Sequence, residues 1–301
     1  MKSVLAAILG LAGMVGVPGN AHADDPLLRP ILPADSAKWI TPQAPLHIYG
    51  NTYLVGFGGL NVVLIRTSAG LILIDGAVPQ GVRAIEANIR RLGFRIADVK
   101  LILNTEPHFD HASGIAALAR DSGATVIASA AAAGVLRSGQ PAADDPQIAW
   151  GVAYPATARV RAVTDGTPIR LGDTIVTARM TAGHTPGSMS WTWRSCEGRR
   201  CLSTVFAASL NPIAGPGYRY TAHPEEADAF RRSFATVRAL PCDILITPHP
   251  GQSDGDVKAR KLAASRKPNP FIDSSACRAY ADTYAALFER RLADEKAGRA
   301  K

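Results

Sequence analysis

The feature that most limits the fold of this chain is its alternation of short apolar runs with segments of helical periodicity. In the first half, LILIDG, VKLILN and ATVIAS have the length and composition of buried strands. Between the first two, apolar residues recur at helical spacing from Val82 to Leu92, and Gly93 ends the segment. The second half has strands from ARVRAV to STVFAAS, a helix from Pro224, the strand DILITP and a C-terminal helix. We therefore predict a layered α/β fold with two sheets packed between helices.

Residues 1–23 have the features of a secretory signal peptide. An apolar stretch is followed by AHA, an A-x-A cleavage site that ends at Ala23. The stretch is too short and too often interrupted by glycine to make a good membrane span. We predict a mature protein of residues 24–301 that is periplasmic or secreted and has no membrane span. It forms a single domain, because no linker rich in Gly, Ser or Pro divides it.

The net charge of +8 is spread along the chain and forms no patch. There is no block of five basic residues, and aromatic and basic residues do not interleave as they do in nucleic-acid readers. The apolar fraction of 47% fits a soluble globular protein with a sizeable core. We predict a monomer with a small-molecule substrate and no nucleic-acid partner.

Four cysteines, Cys196, Cys201, Cys242 and Cys277, allow three ways of forming two disulfides. Cys196 and Cys201 flank the turn EGRR between two predicted strands, where a local disulfide forms easily. This leaves Cys242 and Cys277, which would join the start of a strand to the C-terminal helix. Because no CxxC pair exists, disulfides in an oxidising compartment are favoured over zinc thiolates.

The segment NTEPHFDHASG places four possible cation ligands directly after the strand VKLILN: Glu106, His108, Asp110 and His111. The first three are spaced by two, so an extended backbone would direct them to one side. His111 follows as the chain turns into a helix. This density of ligands indicates either a metal site or a polar turn that caps a helix.

Two further histidines occupy similar places after apolar strands. His184 follows TIVTARM in TAGHTPGS, and His249 follows DILI in TPHPG. Six candidate ligands therefore stand at the ends of three predicted strands. A catalytic zinc takes three protein ligands and keeps one position open for water, so six ligands divide into two metal sites.

The alternative for each histidine alone is a hydrogen-bonded surface group. We keep that interpretation for His47 and His223, which have no neighbouring ligands. Asp110 alone could cap a helix, with Ser113 as the competing cap. Four of the seven histidines share the strand-end pattern, however, and this favours a metal site.

ExHxDH, GHTPGS and a single late histidine resemble the metallo-β-lactamase superfamily, whose usual first motif is HxHxDH. VGFGGLNVVLIRTSAGLILIDGA, GHTPGSMSWTW, AASLNPIAGPGY and FRRSFATVRALPCDILITPHPG resemble class B, subclass 3, within it. The resemblance covers nearly all of the mature chain. It implies a four-layer αβ/βα sandwich and a secreted zinc enzyme that opens the ring of β-lactam antibiotics.

The resemblance also implies two zinc ions per chain and a role for each ligand. The nucleophile would be a metal-bound hydroxide that attacks the β-lactam amide. His108 and His184 belong to the site that polarises the carbonyl, and Asp110 orients the nucleophile. The first zinc would be held by Glu106, His108 and His184, and the second by Asp110, His111 and His249.

The segment FAASLNP bears on the substrate. Glyoxalase II enzymes and many lactonases of the superfamily have a metal-bridging aspartate where this chain has Ser209. In subclass 3 enzymes this segment helps to hold the substrate carboxylate, which implies substrate contacts for Ser209 and Asn211. The alternative is that both residues only cap a loop. The loop AADDPQIAWGVAYP could cover the site and expose Trp150 to substrate, or it could bury Trp150.

Glu106 departs from the family pattern, which has histidine at this position in most members. Glu-His-His is still a suitable catalytic zinc set, and a minority of subclass 3 enzymes carry a substitution there. The carboxylate lowers the formal charge of the first site by one. We therefore predict a less acidic nucleophilic water and a weaker electrophile than at a three-histidine site. Alternatively, Glu106 swings away and the first site is weakly occupied.

Two other functions stay open at this point. One is a lactone or thioester hydrolase of the same superfamily, against which the missing bridging aspartate counts. The other is a non-catalytic periplasmic metal-binding protein in which Glu106 marks a decayed active site.

Overall fold

Two β-sheets and two groups of helices make up the computed structural model, which describes residues 25–31 and 34–299. The predicted signal peptide, residues 1–23, lies outside the described residues. Among the helices that are described, none combines the length and the apolar character needed to cross a bilayer.

The first sheet comes from the first half of the chain, and its seven strands lie in sequence order. They are β1 (Leu46–Tyr49), β2 (Thr52–Leu54), β3 (Val63–Thr67), β4 (Gly70–Ile74), β5 (Val99–Leu103), β6 (Thr125–Ser129) and β7 (Val160–Val163). The strands β1 to β4 are antiparallel, and β5 to β7 run parallel to β4. Parallel pairing requires crossover connections, and these contain α1 (Val82–Arg91), α2 (Phe109–Ala112), α3 (Ile115–Ser122) and α4 (Ala130–Ser138).

The second sheet comes from the second half of the chain. It contains β8 (Pro168–Leu171), β9 (Thr174–Met180), β10 (Met189–Glu197), β11 (Arg200–Phe206) and β12 (Ile244–Ile246), in the spatial order β12-β11-β10-β9-β8. Neighbours from β8 to β11 are antiparallel, whereas β12 runs parallel to β11. The helices of this half are α5 (Pro224–Ala239), α6 (Gly255–Ala264) and α7 (Ala276–Lys296).

Three apolar clusters lie between four layers. In β4, Leu71 and Leu73 face the helices of the first half, and Ile72 and Ile74 face the second sheet. Such alternation is expected of a strand that is covered on both sides. On the far side, Leu245 of β12 packs in the cluster that contains the buried faces of α5 and α7. The order is therefore helix, sheet, sheet, helix, and the predicted αβ/βα sandwich is confirmed.

Both predicted disulfides are present in the structure. Cys196 and Cys201 lie opposite each other on β10 and β11 and are bonded. Cys242, just before β12, is bonded to Cys277 in the first turn of α7. The second disulfide therefore fastens the C-terminal helix to the second sheet.

Two elements were not predicted. The strand β1 is short, and two of its four residues are only partly buried. The helix α6 buries little more than Ala259 and Leu262 among charged residues, so its apolar periodicity is weak. The strand β1 is held in a hairpin with β2, and Ala259 and Leu262 of α6 pack in the apolar cluster between the sheets with residues distant in sequence.

Candidate metal centre

Three strand ends meet at one edge of the sandwich and bring the predicted ligands together. Residues 106–111 follow β5, His184 follows β9, and His249 follows β12. Their donor atoms form two groups of three, and within each group the atoms lie within 4.8 Å of one another. The strand-end pattern in the sequence therefore corresponds to real proximity.

Buried hydrogen bonds fix the two residues between β5 and the ligands. Met189 N donates to Thr105 O at 2.7 Å, and Trp191 Nε1 donates to Asn104 O at 3.1 Å, so this segment is joined to the second sheet. Asp75, at the end of β4, accepts hydrogen bonds from Asn104 Nδ2, Thr105 N and Thr105 Oγ1. Burial raises the pKa of Asp75 to about 7 in spite of these bonds. Sequence analysis gave Asp75 no role.

The start of α2 decides which ligands share a group. Because the helix begins at Phe109, Asp110 lies on its first turn, while Glu106 and His108 precede it. Glu106 and His108 join one group, and Asp110 and His111 join the other. The expectation that Glu106, His108 and Asp110 point to one side is therefore corrected: the helix turns Asp110 away.

The first donor set consists of Glu106, His108 and His184. Glu106 Oε2 lies 3.2 Å from His108 Nδ1 and 3.0 Å from His184 Nε2. This oxygen is buried and, apart from these two imidazole nitrogens, has no hydrogen-bond partner among the described residues. The other oxygen, Oε1, accepts the backbone N–H of Ser209 at 3.2 Å. Three donor atoms thus converge on one point, which is the arrangement that a cation fits.

The outward nitrogens of these two histidines have their own partners. His184 Nδ1 lies 2.7 Å from Asn211 O, which accepts its proton and leaves Nε2 free to bind a metal. His108 Nε2 lies 3.2 and 3.0 Å from the two carboxylate oxygens of Asp145. Partners of this kind fix the tautomer and the orientation of metal-binding histidines.

The second donor set consists of Asp110, His111 and His249. Asp110 Oδ2 lies 3.2 Å from His111 Nε2 and 3.1 Å from His249 Nε2. The two Nε2 atoms are 3.2 Å apart, and His249 Nδ1 lies 3.2 Å from Gly59 O. Asn61 fixes the two residues that precede His249. Its backbone N–H donates to Pro248 O, and its side-chain amide donates to Thr247 O.

Charge pairing shifts the pKa values of four of these residues, Glu106, His108, Asp110 and His111, in the metal-free protein. Burial raises the pKa of Glu106 and of Asp110, but the charges of neighbouring histidines outweigh it and hold both pKa values well below the usual range. Burial lowers the pKa of His108 and of His111, but nearby carboxylates raise these values to about 10 and about 9. A metal ion would bind the ionised carboxylates directly and displace the imidazole protons.

A cleft of about 720 Å³ opens over the two sets. Trp150 lines it and is 47% exposed, so the alternative of a buried Trp150 is excluded. Asn211 also lines the cleft. Ser209 is fully buried beneath it, with Gln252 Nε2 3.4 Å from its hydroxyl. Substrate contacts of Ser209 and Asn211 stay predictions.

Sequence analysis missed three other residues at the cleft. Trp39 comes from the N-terminal segment, and its ring meets His249 edge-on at 5.5 Å between centroids. Gln147 Nε2 lies 3.2 Å from His184 Nε2. Asp145 precedes Gln147 on the same loop. None of the three lies in a ligand motif, and the only signal was the position of two of them in the loop that carries Trp150.

The donor sets have the chemistry of metal sites, with two imidazoles and one carboxylate in each. Histidine and carboxylate ligands at these distances suit divalent transition metals, and the outward nitrogens of His108, His184 and His249 already have partners. Fold and donor sets together define a metal-binding protein of the αβ/βα sandwich class.

Comparisons with known proteins agree with this class. The model of the metallo-β-lactamase superfamily matches residues 55–249. The chain is 47% identical to a B3 metallo-β-lactamase described as the first with an active-site glutamic acid, with a TM-score of 0.84, over 91% of this chain and 99% of that one. It is 44% identical to the Rm3 metallo-β-lactamase, with a TM-score of 0.85, over 88% and 99% of the chains. It is 46% identical to MEM-A1, a subclass B3 metallo-β-lactamase from a soil metagenome library, with a TM-score of 0.83, over 86% and 99%.

The chain therefore belongs to the metallo-β-lactamase superfamily and, within it, to subclass B3. The resemblance drawn from its motifs is confirmed, including the glutamate variant of the first motif.

Proposed function

We propose that the protein is a zinc-dependent hydrolase that opens the ring of β-lactams. The observation that carries the proposal is Glu106, whose buried carboxylate meets two histidines in a chain 47% identical to a B3 enzyme with an active-site glutamic acid. The cleft above the donor sets, about 720 Å³ in volume, supports a small-molecule substrate.

We assign one zinc ion to each donor set. Three protein donors with room for a further ligand are typical of catalytic zinc. When bound, such ions polarise a carbonyl oxygen and lower the pKa of a water molecule towards neutrality. The first set is Glu106, His108 and His184, and the second is Asp110, His111 and His249.

The ligands also orient the reactants in this proposal. Asp110 is the carboxylate of the second set, and it holds the attacking water as well as the metal. His108 and His184 define the place of the substrate carbonyl oxygen. Water adds its oxygen to the carbonyl carbon and the amide C–N bond breaks; one water proton goes to the nitrogen, and the other is released to solvent as the new acid ionises to a carboxylate. This route needs no covalent enzyme intermediate.

The cleft walls suit an amphipathic substrate. Trp39, Ile148 and Trp150 supply apolar surface, and Asn211 and Gln147 supply amide groups. We propose that Trp150 and Asn211 contact substrate directly. The buried Ser209 contributes through its backbone N–H, which holds Glu106.

Hydrolysis assays test the proposal. The protein of residues 24–301 is given a cephalosporin, a carbapenem, a lactone and a thioester, while zinc is titrated and then removed with a chelator. We expect zinc-dependent turnover of the β-lactams above the other two. Turnover of only the lactone or the thioester would indicate a lactone or thioester hydrolase instead of a β-lactam hydrolase. Zinc binding without any turnover would instead support a non-catalytic metal-binding protein.

We further propose that the protein is exported, cleaved after Ala23 and active as a monomer in an oxidising compartment. The two disulfides support such a compartment, since disulfides persist there and are rare in the cytosol. N-terminal sequencing of the protein from the periplasmic fraction tests cleavage, and light scattering tests the oligomeric state.

A further inference from the structure

His108 differs from His184 and His249 in the partner of its outward nitrogen. The outward nitrogens of His184 and His249 contact neutral backbone carbonyls. His108 Nε2 instead contacts a carboxylate, with both oxygens of Asp145 at 3.0 to 3.2 Å. Burying a carboxylate costs free energy unless a charged or hydrogen-bonding partner offsets it, so the carboxylate beside His108 indicates a specific role.

Burial and hydrogen bonds to the loop backbone fix the position of Asp145 beside His108. It is only 5% exposed, although it lies on a loop. Its Oδ1 accepts the backbone N–H of Gln147 at 2.7 Å, and its own N–H and C=O bond to Ala142 O and Ile148 N. The carboxylate therefore has one fixed position against the imidazole.

This contact decides which nitrogen of His108 is free. When Nε2–H donates to Asp145, Nδ1 carries the lone pair, and Nδ1 is the nitrogen that lies 3.2 Å from Glu106 Oε2. A carboxylate partner also makes the imidazole a more basic ligand than a carbonyl partner does. The loop is tied to the same ligand segment a second time, since Tyr154 Oη donates to Pro107 O at 2.8 Å.

We infer that Asp145 is a positioning residue for the first metal site: it fixes the tautomer and orientation of His108 and so sets the metal affinity of Glu106, His108 and His184. The inference rests on the proposed function, because it takes these three residues as metal ligands. It assigns Asp145 no contact with substrate. The competing explanation is that Asp145 only anchors the loop, and the two differ in whether the first donor set loses more zinc affinity than the second.

Zinc affinity separates these explanations. We expect Asp145→Ala to lower the zinc affinity of the first set by about 10- to 100-fold, as is typical when such partners are lost. Asp145→Asn keeps an acceptor without the charge, so it should lose less. Affinities come from competition with a chromophoric chelator, and repeating the titration with His249→Ala identifies the step that belongs to the first set. The cobalt-substituted protein gives a second readout, because the absorption of the first-site ion should shift in both variants.

Asp144→Asn is the matched control, since Asp144 is an exposed neighbouring carboxylate without a contact to His108 among the described residues. It should bind zinc as the unaltered protein does. The metal-free Asp145→Ala protein should melt at a lower temperature, because the Gln147 N–H and the His108 imidazole lose a partner, and its gain in melting temperature on adding zinc should also be reduced. The inference is wrong if both Asp145 variants bind zinc with the affinity of the unaltered protein and, when loaded with cobalt, show its absorption spectrum. It is also wrong if the metal-free variants lose stability and the zinc affinities of both donor sets fall equally. If the unaltered protein binds no zinc at all, the proposed function fails instead.

Discussion

The Glu106 carboxylate is held in place by a hydrogen bond from the backbone N–H of Ser209. One carboxylate oxygen accepts that N–H, and the other faces the two histidines of its set. A histidine at this position has one nitrogen for a metal, and its other nitrogen then carries a proton and cannot accept a hydrogen bond. The pairing of Glu106 with the Ser209 amide argues against a decayed active site.

The first prediction concerns Glu106→His. The substitution raises the formal charge of the first site by one, so the acidic limb of the kcat/KM profile should move to lower pH. It also leaves the buried N–H of Ser209 without an acceptor, which should lower the free energy of unfolding of the metal-free protein by about 1–3 kcal/mol. A pH-rate series and denaturant unfolding measure the two effects. An unmoved profile would contradict the charge argument, and unchanged stability would contradict the hydrogen-bond argument.

The second prediction concerns protons released on metal binding. The pKa values of His108 and His111 are raised from 6.5 to about 10 and about 9, so both rings are protonated at neutral pH without metal. The stability they contribute to the metal-free protein is complete below about pH 6.5 and is lost as the pH rises through about 9 to 10. Zinc must displace these protons, so its affinity should rise with pH over that window.

Calorimetric titration in buffers of different ionisation enthalpy measures this release. We expect about two protons from these imidazoles per chain near neutral pH, and fewer above about pH 10. A binding enthalpy that is the same in every buffer would show that the rings are already neutral.

The sequence predicted the ligands but not their supports, for a physical reason. Ligands cluster because one loop or strand end carries several of them, and residues 106–111 show this within a single motif. Asp145 and Trp39 reach the site only through the folded chain, so no spacing in the sequence marks them. The course of the backbone at Phe109, where α2 begins, also could not be read from the spacing of ligands.

Among the elements that carry no ligand, α7 supports the site through Tyr280. Tyr280 Oη accepts the N–H of Leu210 and lies 3.2 Å from Ala208 O, so it holds the residues on either side of Ser209. Ser209 in turn donates to Glu106. The C-terminal helix therefore supports the first donor set from beneath, although it contributes no ligand.

The third prediction concerns Tyr280→Phe. The ring still fills its place, but Leu210 N and Ala208 O lose their buried partner, which should lower the free energy of unfolding by about 1–3 kcal/mol. Zinc affinity should fall more at the first set than at the second, because Ser209 donates directly to Glu106, whereas this segment reaches the backbone of His249 only by way of Gln252. Denaturant unfolding and chelator competition measure these changes.

Tyr284→Phe is the control, since Tyr284 packs on Tyr280 but its hydroxyl makes no hydrogen bond within the described part of the chain. An equal loss of affinity at both sets in Tyr280→Phe would contradict the support proposed for Glu106.

Elements with strong apolar patterns were predicted well, and weakly patterned ones were not. The helix α5 begins at Pro224, as predicted, and its buried face contains Phe230 and Phe234. Apolar spacing in α7 also predicts a buried face that includes Leu287 beside Phe288, but Leu287 is 40% exposed. Apolar spacing in the sequence shows that a helix has an apolar face, but the layer that packs against the helix determines how much of that face is buried.

At the scale of the whole molecule, each half of the chain builds one sheet. Residues 46–163 supply all seven strands of the first sheet, and residues 168–246 supply all five of the second. The order of strands and helices along the sequence was enough to predict two sheets between helices. The pairing order within the second sheet was not predictable, because β12 pairs with β11 across the whole of α5.

Each donor set takes two ligands from residues 106–111 and one from the other half, either His184 or His249. Neither half of the chain can therefore assemble a complete set, and each ion would act as a cross-link between the halves. Metal binding would therefore favour the docked arrangement of the two sheets. A chain that crosses a membrane unfolded would then take its metal from the compartment where it folds, and zinc supply there would limit how much active protein matures.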